Sequence, residues 1–105
     1  GASIIVVTSS VEQFVANVRN THSTLDGVFL DPPRSGAGLA VCTELRELGP
    51  RWILYLACDP VALARDAREL CSDGTFELIS LTAWDAFPMT HHFESLAVFR
   101  NTKVS

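Results

Sequence analysis

Apolar and polar residues are distributed along the chain in a pattern that predicts alternating strands and helices. Three short apolar runs predict strands at residues 4–7, 25–30 and 51–57. After each of them, apolar residues spaced three and four apart predict a helix, at about residues 10–20, 39–48 and 60–71. The last part of the chain predicts two more strands, 77–83 and about 94–100, with no helix between them.

This order of elements predicts an α/β fold with a mostly parallel sheet. Strands that are joined by helices run parallel, with right-handed crossovers, whereas the last two strands form an antiparallel pair. An antiparallel last strand begins at the edge of the sheet where the parallel strands end. We therefore expect residues that follow the parallel strands to meet residues at the start of the last strand.

Composition indicates one folded domain. The chain has 105 residues, of which 48% are hydrophobic and 19% charged, which suits a hydrophobic core and argues against disorder. The formal net charge of −4 excludes a broadly polycationic surface but neither proves nor excludes an RNA partner. No apolar run reaches the ~20 residues that a membrane helix needs, so we expect no membrane partner.

The chain has three cysteines, Cys42, Cys58 and Cys71. They lie far apart without a Cys-x-x-Cys pair, which is poor spacing for a metal site, and their odd number does not suit a disulfide framework. A reducing cytoplasm fits this pattern best. Because the sequence begins Gly1-Ala2-Ser3 without a methionine, we also expect a piece of a longer protein.

Cys58 stands where a buried strand is expected to end and a helix to begin. Asp59 is a preferred helix N-cap, and Pro60 suits the first helical position. Ligands of open parallel sheets bind at the carboxyl ends of the strands, so this position predicts a thiol in a crevice. The alternative is that Cys58 is a small buried apolar residue.

Two carboxylates occupy comparable positions. Asp31 follows the predicted strand at residues 25–30 and precedes Pro32-Pro33, which cannot extend a sheet ladder. Glu94 begins the last predicted strand. The topology therefore predicts that Asp31, Cys58 and Glu94 converge at one edge of the sheet. The alternatives are an ordinary turn for Asp31 and a capping or solvated strand end for Glu94.

Three segments, in this order, resemble the RNA 5-methyluridine methyltransferases. They are Asp31-Pro32-Pro33-Arg34-Ser35-Gly36, then Cys58-Asp59-Pro60 followed by Leu63-Ala64-Arg65-Asp66, and finally Phe87-Pro88-Met89-Thr90-His91-His92-Phe93-Glu94. The resemblance implies a partial Rossmann-like methyltransferase fold with helices on both faces of the sheet. It also implies transfer of a methyl group from S-adenosylmethionine to carbon 5 of a uridine in tRNA or rRNA. It covers nearly all of residues 1–105 but only the carboxyl-terminal part of the family's catalytic domain.

The resemblance also implies roles for individual residues. Cys58 looks like the nucleophile that adds to carbon 6 of uracil, and Glu94 like the base that takes the proton from carbon 5. Asp31 resembles the family's acid beside the cofactor and the base, and Ser10 stands where some members touch the adenine side. Uracil carbon 5 accepts a methyl group poorly until a thiolate has added at carbon 6, which explains why this chemistry uses a cysteine.

The sequence also departs from the family. Ala57 and Asp59 stand where members commonly have serine and asparagine, and no glycine-rich cofactor loop precedes Ile4. The family's RNA-binding segment and the iron–sulfur segment of some members are absent too. An iron–sulfur cluster is therefore possible only in a region upstream of this sequence. We expect this chain alone to be inactive and to bind S-adenosylmethionine weakly or not at all. We also expect residues 4–7, without their usual neighbour, to pair beside residues 25–30 or to form a dimer through an unpaired edge.

Other functions are compatible with the residues alone. One is a non-catalytic interaction or assembly module that retains the motifs. Another is a hydrolase that pairs Cys58 with His91 or His92, although adjacent histidines in a strand point to opposite faces and no further metal-ligand cluster is visible. Trp52 and Trp84 are expected to pack on the sheet.

Overall fold

A computed structural model describes residues 4–7, 26–87 and 92–103 of the chain. These residues form five strands and two helices. In chain order they are β1 (Ile4–Val7), β2 (Gly27–Leu30), α1 (Leu39–Leu48), β3 (Trp52–Ala57), α2 (Pro60–Cys71), β4 (Phe76–Phe87) and β5 (His92–Asn101). Both helices have the predicted bounds, whereas the last two strands are longer than predicted. The helix predicted at about residues 10–20 lies outside the described residues.

The five strands form one mixed sheet in the order β1-β2-β3-β5-β4. The first three strands run parallel to one another, and β5 lies between β3 and β4, antiparallel to both. This confirms the predicted α/β fold with an antiparallel last strand. Ile4 pairs with Gly27 and Val7 with Leu30, so β1 takes the first of its two predicted arrangements, beside β2.

The helix ends follow from local chemistry. The Asp59 side chain caps α2 by accepting a hydrogen bond from the backbone N–H of Val61 at 2.9 Å, and Pro60 occupies the first helical position. α1 ends at Gly49, whose left-handed backbone lets its N–H donate to the carbonyl of Leu45 at 2.9 Å. By contrast, the N-cap of α1 is Gly38, which has no side chain to cap the helix.

The core lies between α1, α2 and one face of the sheet. Alternate residues of β2, β3 and β5 point into it, as the period of two along a strand requires. The buried sheet residues include Val28, Leu30, Ile53, Tyr55, Ala57, Ala97 and Phe99. Apolar side chains of the two helices cover them: Val41, Cys42, Leu45, Leu63 and Leu70. Helices therefore cover one face of the sheet among the described residues, and helix coverage of the opposite face stays a prediction.

The tryptophans behave differently from each other. Trp52 is half-buried and packs over Gly27, where a Cβ would lie 2.1 Å from Trp52 Cζ2. Trp84, on the outer strand β4, has 42% of its surface exposed. The prediction that the tryptophans pack on the sheet is therefore confirmed for Trp52, and it stays a prediction for Trp84. No helix within the described part of the chain is long and apolar enough to cross a membrane.

The contact between Gly27 and Trp52 can be tested by substitution. Gly27→Ala should lower the free energy of unfolding by about 1–3 kcal/mol, because the added methyl group overlaps the indole ring. Chemical denaturation of the chain measures this loss. The double variant Gly27→Ala/Trp52→Val should lose less than the sum of the two single losses. Strictly additive losses would contradict the overlap.

Candidate active site

Asp31 and Cys58 lie at the same edge of the sheet. β2 and β3 are parallel neighbours with Leu30 paired to Tyr55, so residues that follow each strand leave the sheet on the same side. Asp31 comes directly after β2 and is exposed, whereas Cys58 comes directly after β3 and is half-buried. The structure therefore places both side chains at the carboxyl ends of parallel strands, where α/β proteins bind ligands.

Glu94 reaches the same edge from the opposite direction. β5 runs antiparallel to β3, and the last pair of this ladder joins Ala57 to Ser95. One step further along both chains, Cys58 follows Ala57 and Glu94 precedes Ser95. Ala57 and Ser95 are buried on the core side, so by alternation Glu94 lies on the other face of the sheet. The register brings the backbones of Cys58 and Glu94 to the same edge of the sheet, and contact between their side chains stays a prediction.

An aromatic residue that the sequence analysis assigned to packing lies beside this pair. Trp84 of β4 is directly paired with Glu94 of β5. Residues paired across antiparallel strands project from the same face, so Trp84 and Glu94 are neighbours there. The exposed indole is therefore an apolar surface next to the candidate base.

Cys58 lies just before the capped start of α2. Asp59 caps this helix, and the first N–H groups of any helix carry partial positive charge. Asp59 therefore separates Cys58 from Pro60, the first helical residue. The asparagine that family members commonly have at position 59 is replaced by an acid with an equivalent acceptor oxygen, and the helix cap is kept.

The loop after Asp31 is fixed by a side chain of α2. The backbone N–H groups of Ala37 and Gly38 donate to the Asp66 carboxylate at 2.7 and 3.3 Å. The Tyr55 hydroxyl donates to the same carboxylate at 2.5 Å, and Asp66 has 0% of its surface exposed. Arg65 Nη2 donates to the carbonyl of Ser35, 2.5 Å away.

The sequence motifs did not identify Asp66 as a functional candidate. Its spacing within α2 nevertheless predicts that it faces the core. Leu63 and Leu70 mark the buried side of α2, and a residue three after the first and four before the second faces the same way. An acid on the apolar side of a helix needs buried donors, which makes it a candidate for a structural or functional network.

Burial distinguishes the other two thiols. Burial, together with the nearby Asp66 and Glu69 carboxylates, raises the pKa of Cys42 to about 12. Burial also raises the pKa of Cys71. The pKa of Tyr55 is raised by burial and by its hydrogen bond to Asp66, so its hydroxyl keeps the proton that it donates. All three cysteines are free thiols.

Two sequence candidates cannot be placed in this site. Ser10 and His91 lie outside the described residues. Within the described ranges, no three or more histidine, cysteine, aspartate or glutamate side chains are grouped so that they could hold a metal ion.

Sequence comparison decides the family. A profile described as tRNA (uracil-5-)-methyltransferase matches residues 10–102. The chain belongs to this family. The resemblance inferred from the three motifs is therefore confirmed.

Two relatives match most of this chain. An RNA methyltransferase of Streptomyces avermitilis is 50% identical over 80 residues, which are 76% of this chain and 18% of that protein. A 23S rRNA (uracil(1939)-C(5))-methyltransferase, RlmD, of Alkalilimnicola ehrlichii is 48% identical over 75 residues, 71% of this chain and 17% of that protein. The chain thus spans about a sixth of the length of these two relatives.

Solved structures share the fold. The tRNA (uracil-54, C5)-methyltransferase of Pyrococcus abyssi, in complex with S-adenosyl-L-homocysteine, superimposes with a TM-score of 0.67 and 24% identity. The match covers 91% of this chain and 28% of that one. A complex of M1.HpyAVI with SAM gives a TM-score of 0.66 at 13% identity. These matches confirm the Rossmann-like methyltransferase fold.

The three thiols should differ in reactivity. At about pH 8, iodoacetamide should alkylate Cys58 first, Cys71 more slowly and Cys42 last, because only the thiolate reacts. A raised pKa means fewer thiolates below it, so Cys42 should react faster only as the pH approaches 12. Peptide mapping by mass spectrometry measures the three rates. Labelling of Cys42 as fast as Cys58 in the folded protein would contradict this order.

Proposed function

We propose that this chain is the carboxyl-terminal part of the catalytic domain of an RNA uracil-5-methyltransferase. The observation that carries the proposal is the β3–β5 register, whose last pair, Ala57 and Ser95, directly precedes Cys58 and directly follows Glu94. The family match over residues 10–102 supports it. By their names, RlmD of Alkalilimnicola ehrlichii acts on uracil carbon 5 in 23S rRNA, and the Pyrococcus abyssi enzyme acts on uracil carbon 5 in tRNA. The substrate class is therefore a uridine in one of these RNAs.

Cys58 begins the proposed reaction. Its thiolate adds to carbon 6 of the uracil, which forms a carbon–sulfur bond and turns carbon 5 into an enolate-like nucleophile. S-adenosylmethionine, when bound, supplies the methyl group that carbon 5 takes up.

Glu94 completes the proposed reaction. Its carboxylate removes the remaining proton from carbon 5, the electron pair re-forms the 5,6 double bond, and Cys58 leaves as a thiolate. A base for this step must reach carbon 5 while the cysteine is bound to the adjacent carbon 6. Cys58 and Glu94 adjoin the last pair of the β3–β5 ladder, and we propose that they meet that requirement. The uracil must also leave its stack, and the exposed Trp84 beside Glu94 offers it an apolar surface.

Asp31 is the described residue that we assign to the cofactor. Its carboxylate is exposed at the carboxyl end of β2, on the edge that also holds Cys58. We keep Ser10 as a second candidate on the adenine side. Because the glycine-rich loop is not in this sequence, we propose that the chain alone is inactive and that most cofactor contacts come from upstream. An iron–sulfur cluster in the parent protein would likewise be bound upstream.

The setting of the protein is part of the proposal. Three free thiols suit a reducing compartment, so we place the parent enzyme in the cytoplasm. Among the described strands, β1 is the outermost beside β2, and pairing of β1 strands from two copies would form a symmetric dimer.

Covalent trapping tests the nucleophile. The full-length enzyme, incubated with S-adenosylmethionine and RNA that contains 5-fluorouridine, should form an adduct that survives denaturing electrophoresis. Fluorine at carbon 5 cannot be removed as a proton, so the cysteine stays bound. Cys58→Ala should abolish the adduct, whereas the matched control Cys71→Ala should keep it. A folded, cofactor-binding enzyme that forms no adduct would instead favour a non-catalytic assembly module.

A second experiment tests the base. With ordinary uridine RNA and cofactor, Glu94→Gln should accumulate a covalent enzyme–RNA complex and lose at least about 100-fold in turnover, the scale of a lost general base. The carboxylate of Glu77, which pairs with Arg100 at the far end of the hairpin, provides the control Glu77→Gln. Turnover without accumulation of the complex in Glu94→Gln would assign proton removal to another group.

A further inference from the structure

α2 contacts the loop that follows Asp31 through two successive residues, Arg65 and Asp66. The Arg65 guanidinium donates to the Ser35 carbonyl, and the Asp66 carboxylate accepts from the Ala37 and Gly38 amides. The loop and the helix are 28 to 30 residues apart in sequence along these bonds. They are therefore joined by polar contacts of defined geometry in addition to apolar packing.

The Asp66 carboxylate is fully buried, which makes its contacts costly to lose. It accepts two backbone N–H groups and the Tyr55 hydroxyl, and Arg65 Nη2 lies 3.4 Å from Oδ1. Hydrogen bonds to a charged acceptor are shorter and stronger than bonds between neutral groups. Because the Tyr55 hydroxyl keeps its proton, it serves as a permanent donor in this network.

The loop is shaped to fit this carboxylate. Gly36 has a φ of 90° and is buried, and a Cβ there would lie 2.6 Å from Asp66 Oδ2 and 2.7 Å from Arg65 Nη2. Only a glycine allows both this backbone conformation and this close approach. The Gly36 N–H also donates to the Pro33 carbonyl at 2.8 Å, which closes the turn after the two prolines.

The three segments joined at Asp66 are those that carry the candidate chemistry. The loop begins at Asp31, α2 begins two residues after Cys58, and Tyr55 lies in the strand that ends at Ala57. On the basis of the proposed function, we propose that Asp66 is a positioning residue: its buried carboxylate fixes the Asp31 loop relative to Cys58. The network does not touch the substrate. It sets the distance between the cofactor side and the nucleophile side of the site.

Substitutions in the full-length enzyme test this role. Asp66→Asn keeps one acceptor oxygen but loses the charge, and Tyr55→Phe removes a single donor. Glu69→Gln, on the same helix but paired with Arg46, is the matched control. Two measurements are needed for each variant. One is the rate of adduct formation with 5-fluorouridine RNA as a function of RNA and cofactor concentration, and the other is amide hydrogen exchange in residues 35–38.

A positioning role predicts a specific combination of results. In Asp66→Asn, the saturated rate of adduct formation should fall about 10- to 100-fold, the cost of a misplacement of about 1 Å, while the RNA concentration at half-maximal rate changes less than about threefold. Exchange of the Ala37 and Gly38 amides should accelerate. Tyr55→Phe should shift both measurements in the same direction by less, and Glu69→Gln should shift neither.

Two outcomes would contradict the positioning role of Asp66. Faster exchange with a saturated rate within about twofold of wild type would make Asp66 a purely structural residue. A rate that falls only in proportion to the folded fraction, measured by cofactor titration, would do the same. If Asp66→Asn does not fold, Tyr55→Phe decides between these outcomes. Failure of the wild-type enzyme to form an adduct would refute the proposed function itself, and the positioning role with it.

Discussion

The buried carboxylate of Asp66 is the contact on which the geometry of the site depends. A charged group without access to water is tolerated only if donors surround it, because its desolvation costs several kcal/mol. Here the donors come from the loop after β2, from β3 and from α2 itself. Each of these segments could otherwise shift relative to its neighbours on apolar packing alone, which is not directional. The carboxylate therefore fixes their relative positions.

This contact also compensates for a weak helix start. Gly38, the N-cap of α1, has no side chain to accept a hydrogen bond from the first helical amides. Asp66, from a distant part of the sequence, accepts hydrogen bonds from the Ala37 and Gly38 amides just before the helix and places a negative charge at its start. The loop can thus contain glycines where it approaches α2 and still be held in one conformation, because hydrogen bonds to Asp66 and Arg65 fix its backbone.

The sheet provides the second constraint, through the direction of one strand. β5 lies between β3 and β4 and runs against both, so its beginning lies at the edge where β2 and β3 end. A parallel strand in that place would carry Glu94 to the opposite edge. Backbone topology therefore brings Cys58 and Glu94, the proposed nucleophile and base, to the same edge of the sheet.

The spacing of apolar residues was sufficient to predict α1 and α2, and their ends could be predicted because Asp59, Pro60 and Gly49 mark them in the sequence. It was not sufficient for β4, which runs on from Ala83 to Phe87 because pairing with β5 extends it across the register shift between Asp85 and Phe87. Nor did it predict the partial exposure of Trp84, which lies in the outer strand of the sheet. Asp66 shows the general reason. Its spacing marked a buried position, but two of its partners are the backbone amides of Ala37 and Gly38, which no residue type reveals.

The residues of this chain carry the two halves of the proposed reaction unequally. Cys58 and Glu94, to which we assign activation and restoration of the uracil, are both within the chain, whereas the glycine-rich loop that such enzymes use for the cofactor is not in the sequence. Asp31 is the described residue through which the two halves would meet. Its position relative to Cys58 is not fixed by the β2–β3 ladder alone, because both residues lie beyond the last paired positions of their strands. Hydrogen bonds between the loop and α2 supply the remaining constraint, so alignment of methyl donor and nucleophile would rest on a carboxylate that touches neither.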